Sequence, residues 1–124
     1  MFQIRRLSDP RLSARVCGSF GLDGKNVFAY AAFQKDEVLA TAVFTLEEGC
    51  VVLEGADAGR RTDLPLIDGM ARAAFAAQLR NGVAAARLGG RLPAELRHSL
   101  NKLGYAAEGS FSLQEFFEKK NCSH

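Results

Sequence analysis

The sequence predicts an α/β fold: a mixed, mostly antiparallel central sheet with helices on both faces. Three observations carry that expectation. Two apolar runs, Val27 to Phe33 and Val38 to Leu46, flank the polar turn Gln34-Lys35-Asp36-Glu37 and mark a hairpin. From Asp63 to Arg80 the apolar spacing switches to the period of a helix. At 124 residues, 48% of them apolar and 24% charged, the chain suits one globular domain over residues 1–124 and is neither disordered nor collagen-like.

In chain order, Phe2 to Arg6 reads as a short strand. Asp9 to Cys17 reads as a short helix, with Asp9 as N-cap and Pro10 at the first helical position, where its missing N–H costs nothing. Gly18, Gly21 and Gly24 mark a loop. The two strands of the hairpin are apolar on both faces, so both faces are expected to be covered. Glu47-Glu48-Gly49 turns the chain into a third strand at Cys50-Val51-Val52-Leu53, completing an antiparallel meander. The long helix follows, with Asp63 as N-cap, Pro65 tolerable in the first turn, and Asp68 and Arg72 paired four residues apart. Asn81-Gly82 stops it. Val83 to Leu88 reads as a strand, and Pro93 to Leu103 as a helix with Leu96, Leu100 and Leu103 as its buried stripe and Gly104 as its stop. Tyr105 to Phe117 reads as one or two closing strands. The expected order is β-α-βββ-α-β-α-β(β).

The net charge of +2 is too mild for a nucleic-acid binder, but it hides a segregation. Residues 19–59 carry Lys25 and Lys35 against seven acids, a balance of −5. Residues 60–102 carry eight basic residues against Asp63, Asp68 and Glu95, a balance of +5, and such a field attracts anions. Cys17, Cys50 and Cys122 are odd in number and widely spaced, so they form neither a disulfide framework nor a zinc pattern; a reducing, cytoplasmic setting fits them. Met-Phe-Gln-Ile-Arg-Arg has no apolar stretch behind it to make a signal peptide, and Val38 to Leu46 is too short to span a bilayer, so no membrane partner is expected.

Two stretches carry a family resemblance. Gly69-Met70-Ala71-Arg72-Ala73-Ala74, continuing through Gly82-Val83 to Leu88, looks like the long helix and following strand of the GNAT superfamily of acyl-CoA N-acyltransferases. Leu96 to Tyr105, ending Leu103-Gly104-Tyr105, is similar to that family's last helix and its Leu-Gly-aromatic exit. The resemblance covers Val27 to about Phe117. It implies an acyl-CoA, such as acetyl-CoA, as cofactor and a small-molecule or peptide amine as acceptor. It places the cofactor-binding positions at Leu53 and Gly55, whose strand would hold the acyl carbonyl, and at Arg60, Arg61 and Thr62 before the long helix. Glu54, on the third meander strand, matches the family's general base.

The chain also departs from the family pattern. The Arg/Gln-x-x-Gly-x-Gly turn that cradles the pyrophosphate aligns with Thr62, Pro65 and Ile67, so its glycines are absent, and Arg60 and Arg61 are left as phosphate-binding side chains. The position of the family's Tyr general acid is Leu100, part of the buried stripe. One short helix precedes the meander where relatives often have two. The acceptor side is then open, or completed by a second copy in a homodimer.

Other residues read as structural. His98 lies on the face opposite the leucine stripe, Cys122 and His124 are too few for a metal, and Gly89-Gly90-Arg91 is a strand-to-helix turn. Cys17 and Cys50 read as small core residues, and Phe111, Phe116 and Phe117 as core rather than a stacking platform. Two functions stand side by side: an acyl-CoA-dependent N-acyltransferase, and a non-catalytic binding or interaction module on the same fold. A thiol enzyme using Cys50 or Cys17 stands behind both.

Overall fold

The structure, a computed structural model, describes residues 2–59 and 62–122. Its elements run β1 (Gln3–Arg6), α1 (Pro10–Ser19), β2 (Val27–Gln34), β3 (Glu37–Glu47), β4 (Cys50–Asp57), α2 (Leu64–Arg80), β5 (Ala85–Leu88), α3 (Ala94–Lys102), β6 (Ser110–Ser112) and α4 (Leu113–Cys122). The six strands form one sheet in sequence order. All neighbours are antiparallel except β4 and β5, which run parallel because α2 carries the chain back between them.

The helix ends follow from local chemistry. Asp9 accepts from the Arg11 N–H at 2.9 Å, and Asp63 accepts from the Leu66 N–H at 3.3 Å, each carboxylate capping its own helix. Gly82 and Gly104, with φ of +94° and +109°, take the left-handed conformation that ends α2 and α3.

The strands alternate between two cores. Phe28, Tyr30, Ala42, Phe44, Val51 and Leu53 face α2, with Ile67, Met70, Ala71, Ala74 and Phe75 packed against them. Ala29, Ala31, Phe33 and Val43 face α1 and its Cys17. The hairpin is covered on both faces, as its composition predicts. Past α1, which lies over β2 and β3, the same face of the sheet carries an ion pair at 2.7 Å between Arg87 of β5 and Glu47 at the end of β3.

The end of the chain differs from the expectation of one or two strands. Only Ser110–Ser112 pairs, with β5, and Leu113 onward turns helical. Ser112 Oγ accepts from the Glu115 N–H at 3.2 Å and starts α4. Leu113 and Phe116, three apart on one face, are buried against α2. The spacing that looked like strand is therefore a helical stripe. Strand β5 also begins two residues later than expected, at Ala85.

The Leu103-Gly104-Tyr105 exit locks α3 to α2. Tyr105 is fully buried, and its hydroxyl donates to Asp68 Oδ1 at 2.6 Å. The same oxygen accepts from Arg72 Nε at 2.9 Å, and Arg72 also donates to the Leu103 carbonyl at 3.1 Å. Burial first, and the Asp68 carboxylate second, push the Tyr105 phenol far above its usual value.

Candidate functional site

Strands β4 and β5 pair for four residues, Cys50 to Leu53 against Ala85 to Leu88, and then part. The last bond between them runs from the Gly89 N–H to the Leu53 carbonyl at 2.8 Å. Beyond it, β4 continues to Asp57 alongside β3, while the chain after β5 turns away into α3. At the fork the register of β3 and β4 shifts: Phe44 faces Leu53 and Val43 faces Gly55. Glu54 is the extra residue of this β-bulge and has a ladder partner on neither side.

The Glu54 side chain is half-buried at the fork. Thr45 Oγ1 donates to Glu54 Oε2 at 2.7 Å. The other oxygen, Oε1, would lie 2.6 Å from a Cβ built on Gly89, so glycine there is what leaves room for the carboxylate. The Gly89 turn is held in turn by Arg97, which donates to the Gly89 carbonyl and, at 2.8 Å, to that of Ala107. Gly55, next to Glu54, is buried under the Phe20 ring; a Cβ on Gly55 would meet Phe20 Cδ1 at 2.6 Å. The Phe20 carbonyl accepts from Arg91 Nη1 at 3.1 Å, tying the α1–β2 loop to the turn before α3.

A cleft of about 320 Å³ opens between the free end of β4 and the starts of α2 and α3. Ala56, Thr62, Leu64, Pro93, Glu95, Leu96 and Ser99 line it. The size falls at the lower end of small-molecule sites, which run about 300–1,000 Å³. Thr62 sits in the left-handed region at φ +47°.

Of the residues expected at the site, Leu53, Glu54 and Gly55 meet at the fork, and Thr62 stands at the cleft. Arg60, Arg61 and His124 lie outside the described residues. Leu100 is fully buried and His98 exposed. Among the described residues no group of His, Cys, Asp and Glu could hold a metal ion. Burial pushes the Cys17 and Cys50 thiols upward, away from the thiolate a nucleophile needs. Arg87 beside Cys50 only partly opposes that shift. Sequence reasoning read Gly89 only as part of a strand-to-helix turn, and it missed Thr45 beside the bulge and Glu95 and Ser99, which α3 brings to the cleft.

No protein-family model matches the sequence, and no curated protein matches it. Solved structures do match in fold. The ribosomal-protein-S18-alanine N-acetyltransferase of Escherichia coli superposes with a TM-score of 0.56 at 15% identity, over 71% of this chain and 66% of that one. A candidate N-acetyltransferase of Escherichia coli, solved in solution bound to coenzyme A, gives 0.55 at 17% identity, over 90% and 97%. An acetyltransferase of the GNAT family from Staphylococcus aureus gives 0.54 at 9% identity, over 83% and 80%. The match thus spans about two thirds of the S18-alanine enzyme. A mixed sheet forked between β4 and β5 defines the class: the chain has the fold of the GNAT acetyltransferases. No helix among the described residues is long and apolar enough to cross a membrane.

Proposed function

We propose that this chain is an acyl-CoA-dependent N-acyltransferase that acylates an amine. The observation that supports it most is the fork itself. Two strands part beside an open cleft, and a half-buried carboxylate without ladder partners stands at the apex. A thioester chain entering the fork would bring its carbonyl to the bulge at Glu54, on the edge of β4 that β5 no longer covers. The bound acyl-CoA supplies the activated acyl group and a thiol leaving group.

The chain's own residues supply orientation and proton transfer. Glu54 takes a proton from the attacking nitrogen as the new C–N bond forms and the C–S bond breaks; the sulfur departs as the thiolate and is protonated by water, and Glu54 returns its proton to solvent. Thr45 holds the carboxylate by its Oε2, leaving Oε1 toward the Gly89 side of the fork. Phe20 over Gly55 closes the strand from the side opposite α2.

The test is thiol release from acetyl-CoA in the presence of a panel of small amines and peptide N-termini. Amine-dependent release is expected, and Glu54→Gln is expected to lower kcat by about 100-fold or more, the usual worth of a general base. Release that Glu54→Gln leaves unchanged removes Glu54 from the chemistry. No release with any amine, from protein that remains folded, overturns the activity.

A further inference from the structure

A diphosphate at a helix N-terminus is held by backbone N–H groups that have no other partner. The turn opening α2 has already committed nearly all of its own. The Gly59 N–H donates to Asp57 Oδ1 at 3.2 Å. The Thr62 N–H donates to the Gly59 carbonyl at 3.2 Å, and the Asp63 N–H to that of Ala58 at 3.5 Å. In the first helical turn Pro65 has no N–H, the Leu66 N–H donates to Asp63 Oδ1 at 3.3 Å, and the Ile67 N–H to the Asp63 carbonyl at 3.1 Å. Of the described residues from Gly59 to Ile67, at most the Leu64 N–H is left for a ligand.

Among the described residues at this turn and along the cleft, charge points the same way, against the +5 balance of residues 60–102 as a whole. The Asp63 carboxylate occupies the helix end where an anion would sit. Glu95 lines the cleft, and Asp57 caps the preceding turn. These carboxylates repel a diphosphate and are indifferent to a neutral chain. The rest of the cleft suits a neutral chain: β4 beyond Leu53 has no β5 partner, and Thr62 and Ser99 contribute hydroxyls.

We infer that the cleft recognises an acyl thioester by its uncharged pantetheine arm and draws almost no affinity from the diphosphate, so that a short acyl-pantetheine serves as well as acyl-CoA. The inference rests on the N-acyltransferase reading and narrows its donor to the arm alone. Besides the Leu64 N–H, Arg60 and Arg61, which lie outside the described residues, are what this segment of sequence could still offer the phosphates, and salt reports on their guanidinium groups. A contact between guanidinium and diphosphate weakens steeply as salt rises, whereas pairing of neutral amides does not.

The experiment is isothermal titration calorimetry of the full chain with S-acetylpantetheine and with acetyl-CoA, at low and at high salt. The two dissociation constants are expected to agree within about tenfold and to keep their ratio between ~0.05 M and ~0.5 M salt. Even two charge-assisted hydrogen bonds to the diphosphate would separate them by about 100-fold or more. A separation of that size, or one that appears only at low salt, overturns the inference and leaves the N-acyltransferase reading standing. Failure of both thioesters to bind overturns the two together.

Discussion

At the scale of single residues, Thr45 and Tyr105 show how one hydrogen bond to a carboxylate can serve different ends. Thr45 fixes Glu54 at the fork, and in the proposed reaction that makes it a positioning residue. Thr45→Val keeps the shape and removes the donor; it is expected to lower kcat about tenfold, the worth of one such bond, with KM for the thioester unchanged and Thr45→Ser restoring the rate. A loss in Thr45→Ser equal to that in Thr45→Val would mean the role is packing. Tyr105 instead donates to Asp68 from a fully buried position, and its phenol is raised well above the usual value by burial and then by Asp68. The sign follows from linkage. The unfolded chain ionises its tyrosine first, so this contribution to stability is complete below about pH 10 and declines as pH rises above it. Tyr105→Phe, measured by urea unfolding, is expected to cost about 1–2 kcal/mol at pH 7 through the lost bond. The gap from wild type should narrow above about pH 10. A gap that stays constant to pH 11 would detach the phenol from the alkaline loss.

At the scale of elements, two glycines separate a neighbour that can move from one that cannot. Gly69 lies inside α2, and a Cβ there would meet only Ile4 Cδ1, the movable end of a side chain on edge strand β1. Alanine is the better helix former by about 1 kcal/mol, so Gly69→Ala is expected to stabilise by up to that amount. At Gly55 the obstacle is the Phe20 ring, wedged over β4, and Gly55→Ala is expected to cost about 1–3 kcal/mol as overpacking. Thermal melts of the two variants should shift in opposite directions, and a matching loss in both would show that Ile4 cannot yield. The same contrast explains what could be read from the sequence. The starts of α1 and α2 and the stops of α2 and α3 were legible because Asp9, Asp63, Gly82 and Gly104 act within one turn. The start of α4 was legible in principle, as Ser112 followed three residues later by Glu115, but aromatic residues drew Tyr105 to Phe117 toward strand. Glu54 was reached only through the resemblance to a family. Its surroundings stayed hidden because the β3–β4 pairing brings Thr45 to it from nine residues away and the fork brings Gly89 from the turn after β5. Neither event leaves a periodic trace.

At the scale of the whole molecule, the fork that makes the cleft also poses a structural problem. Strands β1 to β4 are linked by turns, a loop and one short helix, whereas β5, α3, β6 and α4 come from the last third of the chain. In the sheet the two groups meet only along the four-residue parallel ladder of β4 and β5. What unites them is the underside of α2. Phe75, fully buried, lies 6.1 Å from the Phe44 ring on the meander side and 6.1, 6.1 and 6.2 Å from Tyr105, Phe111 and Phe116 on the other. Phe44 in turn stacks on Phe28 at 5.3 Å, so one run of aromatic contacts crosses from β2 to α4 beneath the fork. If that run carries the cooperativity, the wild-type chain unfolds in one step and both groups lose amide protection together. Phe75→Ala should cost about 3–5 kcal/mol, a large share of a domain's usual 5–15 kcal/mol, and it should also uncouple the two groups. The expected signature is hydrogen exchange that accelerates more in β5, β6 and α4 than in β2 and β3. That order follows because the meander keeps its long antiparallel ladders, whereas the last third keeps only short ones. Equal acceleration in both would mean that the parallel ladder, rather than Phe75, holds the fork closed at its base.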